Sequence, residues 1–165
     1  MRSRRRGWQI TGVPKSQSHK GVDEVTIRPG SAHDATGIRD LALNELGDSP
    51  TLPRLRKLLS TYPSFLAFSG PDLCAFVFGD GLAPDIVELA NLVVAIPYRH
   101  QGLGTQLIKC FETEARERYR AVLVSNSNIW TIKNGPKRSA VPLYRRLGYR
   151  EIYSTPDTTV LIKEF

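Results

Sequence analysis

The chain of 165 residues fits one domain around one core, and a second domain would be cramped. Its 41% hydrophobic and 24% charged residues are ordinary for a soluble globular protein, and no apolar run approaches the roughly 20 residues that span a bilayer. The net charge of +7 is local: six of the 23 basic residues fall in the first 20 positions, leaving 17 against all 16 acids.

Those six are Arg2, Arg4, Arg5, Arg6, Lys15 and Lys20, in a stretch with one tryptophan and no sustained period. Residues 1–23 therefore read as a basic, disordered tail ahead of a domain at 24–165. Arg4-Arg5 is not followed by the apolar stretch of a twin-arginine export signal. The tail is the one part of the chain suited to nucleic acid or anionic lipid.

VTIRP, Val25 to Pro29, alternates like a short strand. Asp34 is placed to cap a helix over ATGIRDLALNEL, with Ile38, Leu41, Leu43 and Leu46 as its apolar stripe. LPRLRKLLSTY gives a second helix, with Pro53 in its first turn. SFLAFSG and DLCAFVFGDG form a hairpin around Ser69 to Asp72. IVELANLVVAI is apolar and β-branched enough for a buried central strand. After a glycine loop, Leu103, Leu107, Ile108, Phe111 and Ala115 share one helical face. AVLVSNS is a further buried strand. A short helix follows over about Arg138 to Leu147, ended by Gly148, and then two alternating strands, YREIY and TTVLIKEF. The order β-α-α-β-β-β-α-β-α-β-β means a single mixed, largely antiparallel sheet flanked by helices, an α/β fold.

Cys74 and Cys110 lie in apolar stretches and form no CxxC pair, which fits reduced core thiols and a cytoplasmic, reducing compartment. His19, His33 and His100 share no ligand spacing, so no metal is expected.

The loop PYRHQGLGTQL joins the buried strand to a helix start. Such a junction presents unpaired N–H groups at the positive end of the helix dipole, and glycines let an anion approach the backbone. Phosphate is the usual guest. A Walker loop is excluded because no Gly-Lys-Ser/Thr follows, and the dinucleotide fingerprint because its third glycine position is Leu107.

ELANLVVAIPYRHQGLGTQL resembles the central motif of the GNAT acyltransferase superfamily, a hydrophobic strand followed by Arg/Gln-x-x-Gly-x-Gly/Ala at a helix start; here it reads Arg99-His100-Gln101-Gly102-Leu103-Gly104. A second match, AVPLYRRLGYREI, places Ala140, Leu143, Tyr144, Gly148 and Tyr149 in the family's A-x-x-L-Y-x-x-x-G-F/Y register. The likeness covers about 25–165, and the element order is also that family's. Two positions depart from it. Ile96 stands where many members have proline, and Lys137 where many have an asparagine that contacts pantetheine; Asn126, Asn128 or Asn134 would have to substitute.

The resemblance implies an N-acetyltransferase using acetyl-CoA. Its pyrophosphate would lie on the segment Arg99, His100, Gln101, Gly102, Leu103, Gly104 and Thr105, with charge added by Arg99 and His100. The pantetheine arm would pair with Leu92, Val93 and Val94 almost as an added strand. The Val94 N–H would stabilise the developing oxyanion. Tyr144 would protonate the leaving thiol, and Glu88, on the strand before the loop, would take the amine proton. His100 sits at the phosphate end, too far to be a base. Neither cysteine has an activating base nearby in sequence, so transfer is direct.

The acceptor is expected to be a primary amine of a small molecule, with a peptide or protein as the alternative and a silent CoA sensor as a second. Asp34, Asp40, Glu45 and Asp48 stand against Arg39 in residues 31–50, which would make an acidic lip attractive to a cationic amine. No membrane partner is expected, and a homodimer is allowed.

Overall fold

The structure is a computed structural model that describes residues 24–128 and 139–165. The expectations placed on the tail, on Asn134, on Lys137 and on the Arg138 start of the last helix lie outside these residues. The elements are β1 (Val25–Pro29), α1 (Ala35–Leu46), α2 (Leu52–Thr61), β2 (Ser64–Ser69), β3 (Asp72–Ala83), β4 (Ile86–Val94), α3 (Leu103–Ala115), β5 (Ala121–Ser127), α4 (Val141–Arg146), β6 (Arg150–Ser154) and β7 (Thr158–Glu164), with 3-10 turns at Ala32–Asp34 and Ile96–Tyr98. This is the order read from the sequence.

The strands form one seven-stranded sheet in the order β1-β2-β3-β4-β5-β7-β6. Pairing is antiparallel except between β4 and β5, which run parallel and so need the crossover that α3 provides. Successive side chains on a strand point to opposite faces, and this gives two cores. On one face α1 and α2 bury Ile38 and Leu55 against Leu66, Phe76, Phe78 and Val93. On the other, α3 and α4 bury Leu107, Ile108, Phe111 and Tyr144 against Val77, Val87, Val122 and Leu161. Among the described residues, no helix is long and apolar enough to cross a membrane.

Two local expectations are corrected. The buried stripe of α1 is Ala35, Ile38, Ala42 and Glu45, while Leu43 is 45% exposed. The small alanines let the helix lie close to the sheet, and the glutamate is carried inside because it has a partner, described below. Asp34 does stand at the α1 N-cap, but in helical conformation and without a side-chain cap. Its carboxylate instead accepts from the Ser31 N–H at 2.9 Å and from Arg28 Nη2 at 2.7 Å.

In α2 Pro53 occupies the first turn as expected, and the Thr51 hydroxyl, not singled out from the sequence, caps the helix by accepting from the Arg54 N–H. Cys74 is buried with its Sγ 3.2 Å from the Ala67 carbonyl, Cys110 is half-buried, and both are free thiols.

Candidate active site

The site begins at a register shift. Phe78 faces Asn91 and Gly79 faces Leu89, so Ala90 is an extra residue on β4, a β-bulge. Bulges bend and twist a strand, and β4 leaves β5 close by: parallel pairing ends at Glu88 with Leu123. Beyond this point the two strands splay and open a cleft of about 630 Å³.

The hydrogen-bond phase of β4 follows from its end. The Ala95 N–H donates to the Cys74 carbonyl at 2.9 Å, which makes that facing pair a bonded one. In an antiparallel ladder bonded and non-bonded pairs alternate, so Phe76 with Val93 is bonded while Val77 with Leu92 and Ala75 with Val94 are not. The backbone groups of Leu92 and Val94 therefore face away from β3, toward the splay. Leu92, Val93 and Val94 all line the cleft.

The loop closes the other end. Ile96–Tyr98 is a 3-10 turn carrying Pro97, which accounts for the shifted proline. His100 (φ 60°) and Gly102 (φ 80°) are both left-handed and swing the chain into α3. The Arg99 N–H bonds the Ile96 carbonyl at 3.3 Å, and the first bond of α3 runs from Gln106 N–H to the Gly102 carbonyl at 3.1 Å. The N–H groups of Leu103, Gly104 and Thr105 are those a helix start cannot satisfy itself. A Cβ on Gly102 would have no atom within 4 Å, and one on Gly104 would sit 3.7 Å from Leu143 and 3.9 Å from Leu92 and Val94. Space is therefore open beside Gly102, where the left-handed backbone is what calls for glycine, and a Cβ on Gly104 would meet only ordinary contacts. An anion on a long apolar-and-amide arm, such as CoA, fits this combination of cradle and splayed strand edge.

Arg99 lines the cleft, but its guanidinium is engaged within the protein: Nε donates to the Val94 carbonyl at 2.7 Å and Nη2 to Glu45 Oε2 at 3.0 Å. His100, Gly102, Leu103, Gly104 and Thr105 also form the wall. Gln101 does not; its side chain turns back to the Pro97 carbonyl at 3.2 Å.

Tyr144 projects from α4 into the wall, 4% exposed, and burial pushes its phenol well above the usual tyrosine range. Glu88 is not part of the wall. Its strand neighbours Val87 and Leu89 belong to the α3-side core, so Glu88 faces the α1–α2 side, at the apex of the splay. Asp80 stands directly opposite it on β3 and is ion-paired with Arg54. Burial first, and the Asp80 charge second, raise the Glu88 carboxyl above its ordinary value.

Sequence reasoning did not single out Ser125, Ser139 and Arg146, which also line the cleft. The alternation of AVLVSNS, carried past its apolar part, was the signal for Ser125. Asn126 lines the cleft as well, whereas Asn128 Nδ2 bonds the Thr159 hydroxyl at 3.1 Å. The acidic lip is largely cancelled: Asp34 pairs with Arg28, Asp40 with Arg39 and Glu45 with Arg99. Both thiols are raised by burial, so neither is a ready nucleophile.

The model of the acetyltransferase (GNAT) domain matches residues 64–151, a little over half of the chain, and includes both motifs except Ile152, the last residue of the second. No curated protein matches. Similar folds include the PaiA N-acetyltransferase of Thermoplasma acidophilum in complex with coenzyme A, at 14% identity and TM-score 0.70, covering 86% of this chain and 99% of that one. The ribosomal-protein-S18-alanine N-acetyltransferase of Escherichia coli is similar at 19% identity and TM-score 0.68, over 86% and 94%. A GNAT family acetyltransferase of Elizabethkingia anophelis with acetyl-CoA bound is similar at 21% identity and TM-score 0.62, over 87% and 99%. With the splayed strands, the glycine cradle and the family match together, the chain belongs to the GNAT acetyltransferase superfamily.

Proposed function

We propose that this protein is an acetyl-CoA-dependent N-acetyltransferase that transfers the acetyl group to a primary amine of a small molecule by direct attack. The observation that carries the reading is the splay of β4 from β5 after Glu88, ending at the loop whose helix-start N–H groups lie beside Gly102 and Gly104. Acetyl-CoA supplies an activated acyl group with a thiolate leaving group.

The residues then divide the work. N–H groups of Leu103, Gly104 and Thr105 hold the pyrophosphate, with the helix dipole behind them. The outward N–H and carbonyl of Leu92 pair the pantetheine arm, the Val94 carbonyl being held by Arg99, and Asn126 takes the place of the family's asparagine. The Val94 N–H stabilises the negative oxygen that forms when the amine nitrogen bonds to the carbonyl carbon. Glu88, as the carboxylate, receives the amine proton directly or through water as the C–S bond breaks. The thiolate leaves toward Tyr144. A thiol of pKa about 8.5 is a stronger acid than a buried phenol, so Tyr144 stabilises the thiolate by donating a hydrogen bond, with its proton largely retained.

Pairing of three of the four acids in residues 31–50 weakens the argument for a strongly cationic acceptor. The two free thiols, Cys74 buried and Cys110 half-buried, fit a reducing, cytoplasmic setting. The test is thiol release: acetyl-CoA is incubated with a panel of small amines and N-terminal peptides while free CoA is followed. Turnover with a small amine supports the proposal. Turnover confined to peptides replaces its acceptor class, and tight CoA binding with no turnover in any arm overturns the enzyme reading in favour of a sensor.

A further inference from the structure

We infer that the Arg99 guanidinium is a positioning group inside the donor site, not a ligand of the anion, and that it makes the last turn of α1 a working part of that site. The inference rests on the CoA reading above and extends it to Glu45, which nothing in the loop motif involves.

The geometry is a two-point clamp. Arg99 Nε holds the Val94 carbonyl at 2.7 Å, and Arg99 Nη2 holds Glu45 Oε2 at 3.0 Å, across 54 residues of sequence. A peptide unit is planar. The Val94–Ala95 peptide is thus pinned at both edges: its oxygen by Arg99, its N–H by the Cys74 carbonyl at 2.9 Å. Fixing that plane sets how the end of β4 presents the Val94 N–H to the splay.

Glu45 pays no part in packing that a leucine would not do better, because it stands in the buried stripe of α1 with its side chain only 6% exposed. Arg99 is 22% exposed. Burying such a pair costs desolvation that an apolar pair would avoid, so its use here is registry: it fixes one arrangement of α1 against the loop. The next residue, Leu46, lines the cleft. The wall on the α1 side and the thioester end of β4 are therefore joined through one side chain. Lysine at position 99 has one compact ammonium in place of the planar fork and does not reproduce the two separate nitrogens that hold carbonyl and carboxylate.

The test uses the full chain with Arg99→Met, Arg99→Lys, Glu45→Gln and the double variant Arg99→Met/Glu45→Gln. CoA binding is measured by calorimetry at low and high salt, and amide hydrogen exchange of residues 94–100 is measured without ligand. A clamp predicts that Arg99→Met and Glu45→Gln each weaken CoA by about tenfold, that the double variant is no weaker than either single one, and that Arg99→Lys behaves like Arg99→Met. The salt dependence of CoA binding stays that of the wild type, and exchange at 94–100 accelerates in Glu45→Gln. A phosphate ligand predicts the reverse: Arg99→Lys keeps wild-type affinity, Arg99→Met loses both affinity and salt dependence, and Glu45→Gln has no effect. That pattern, or unchanged exchange in Glu45→Gln, overturns the clamp. If the wild type binds no CoA, the functional proposal falls, and the exchange measurement alone decides the clamp.

Discussion

The rings of Tyr144 and Tyr149 meet edge to face, with centroids 5.4 Å apart and planes at 67°. Tyr149 is itself buried, and Lys163 lies over its ring at 5.6 Å. The ring of Tyr144 is thereby held in one orientation against a packed neighbour, which suits a group that must meet a leaving atom. Tyr144→Phe keeps the edge-to-face contact and deletes the hydroxyl. Its kcat is expected to fall on the order of 10²-fold while the Kd for CoA stays within about twofold. Steady-state thiol release and calorimetry on the same preparation check this; loss of CoA affinity with unchanged kcat would assign Tyr144 to binding alone.

Glu88 carries a sign that can be read in two experiments. Its carboxyl is raised by burial and by Asp80 opposite, so the base form appears at higher pH than for a free glutamate. The acid limb of kcat should rise through that elevated value, and Glu88→Gln should flatten the limb and lower kcat on the order of 10²-fold. For stability, a carboxyl that binds its proton more tightly when folded stabilises fully below its unfolded pKa and loses this as pH rises through the folded one. Glu88→Gln, free of the buried charge beside Asp80, should therefore melt at or above the wild-type temperature at pH 7. A melting temperature well below wild type would show that the carboxylate is structural.

Gly102 needs its left-handed φ of 80°, whereas space is open around it. Gly102→Val strains the backbone and places branched carbons over the cradle. CoA affinity is expected to fall by more than tenfold with a loss of about 1–2 kcal/mol in stability. Gly104→Ala, at a helical position with only ordinary contacts nearby, should cost affinity without costing stability. Calorimetry and urea denaturation separate the two effects.

Lys163 Nζ lies 2.8 Å from Glu112 Oε2, and the two side chains are 21% and 8% exposed. Removing the cation in Lys163→Met leaves a buried carboxylate without its partner, for an expected loss of about 3 kcal/mol. The exposed pair Arg145–Glu151, at 59% and 34%, should give less than about 1 kcal/mol when Arg145 is replaced by methionine. Urea midpoints measured at pH 7 test the contrast.

The element order and the cradle were legible because each rests on local pattern. Alternation marked VTIRP and TTVLIKEF, the helical stripe marked Leu103 to Ala115, and the loop's glycines marked a backbone that must turn and stay open. What escaped was set by partners far away in sequence. Glu45 looks like a solvent-facing residue until Arg99 arrives beside it, and its burial displaces Leu43 from the stripe. The Ala90 bulge depends on how β3 and β4 slide past each other, for which IVELANLVVAI has no local mark. Asp34 was drawn from its expected cap by Arg28, an ion pair that holds its carboxyl below the ordinary aspartate range despite the upward push of burial.

The central claim is that the cleft between β4 and β5, closed by the Gly102 loop, takes CoA. The direct measurement is titration of CoA into nitrogen-15-labelled protein, read at assigned backbone amides. The largest shifts are expected at Gly102 to Thr105 and at Leu92 and Val94, saturating together. Shifts that saturate elsewhere on the sheet, or none at millimolar CoA, would contradict the assignment.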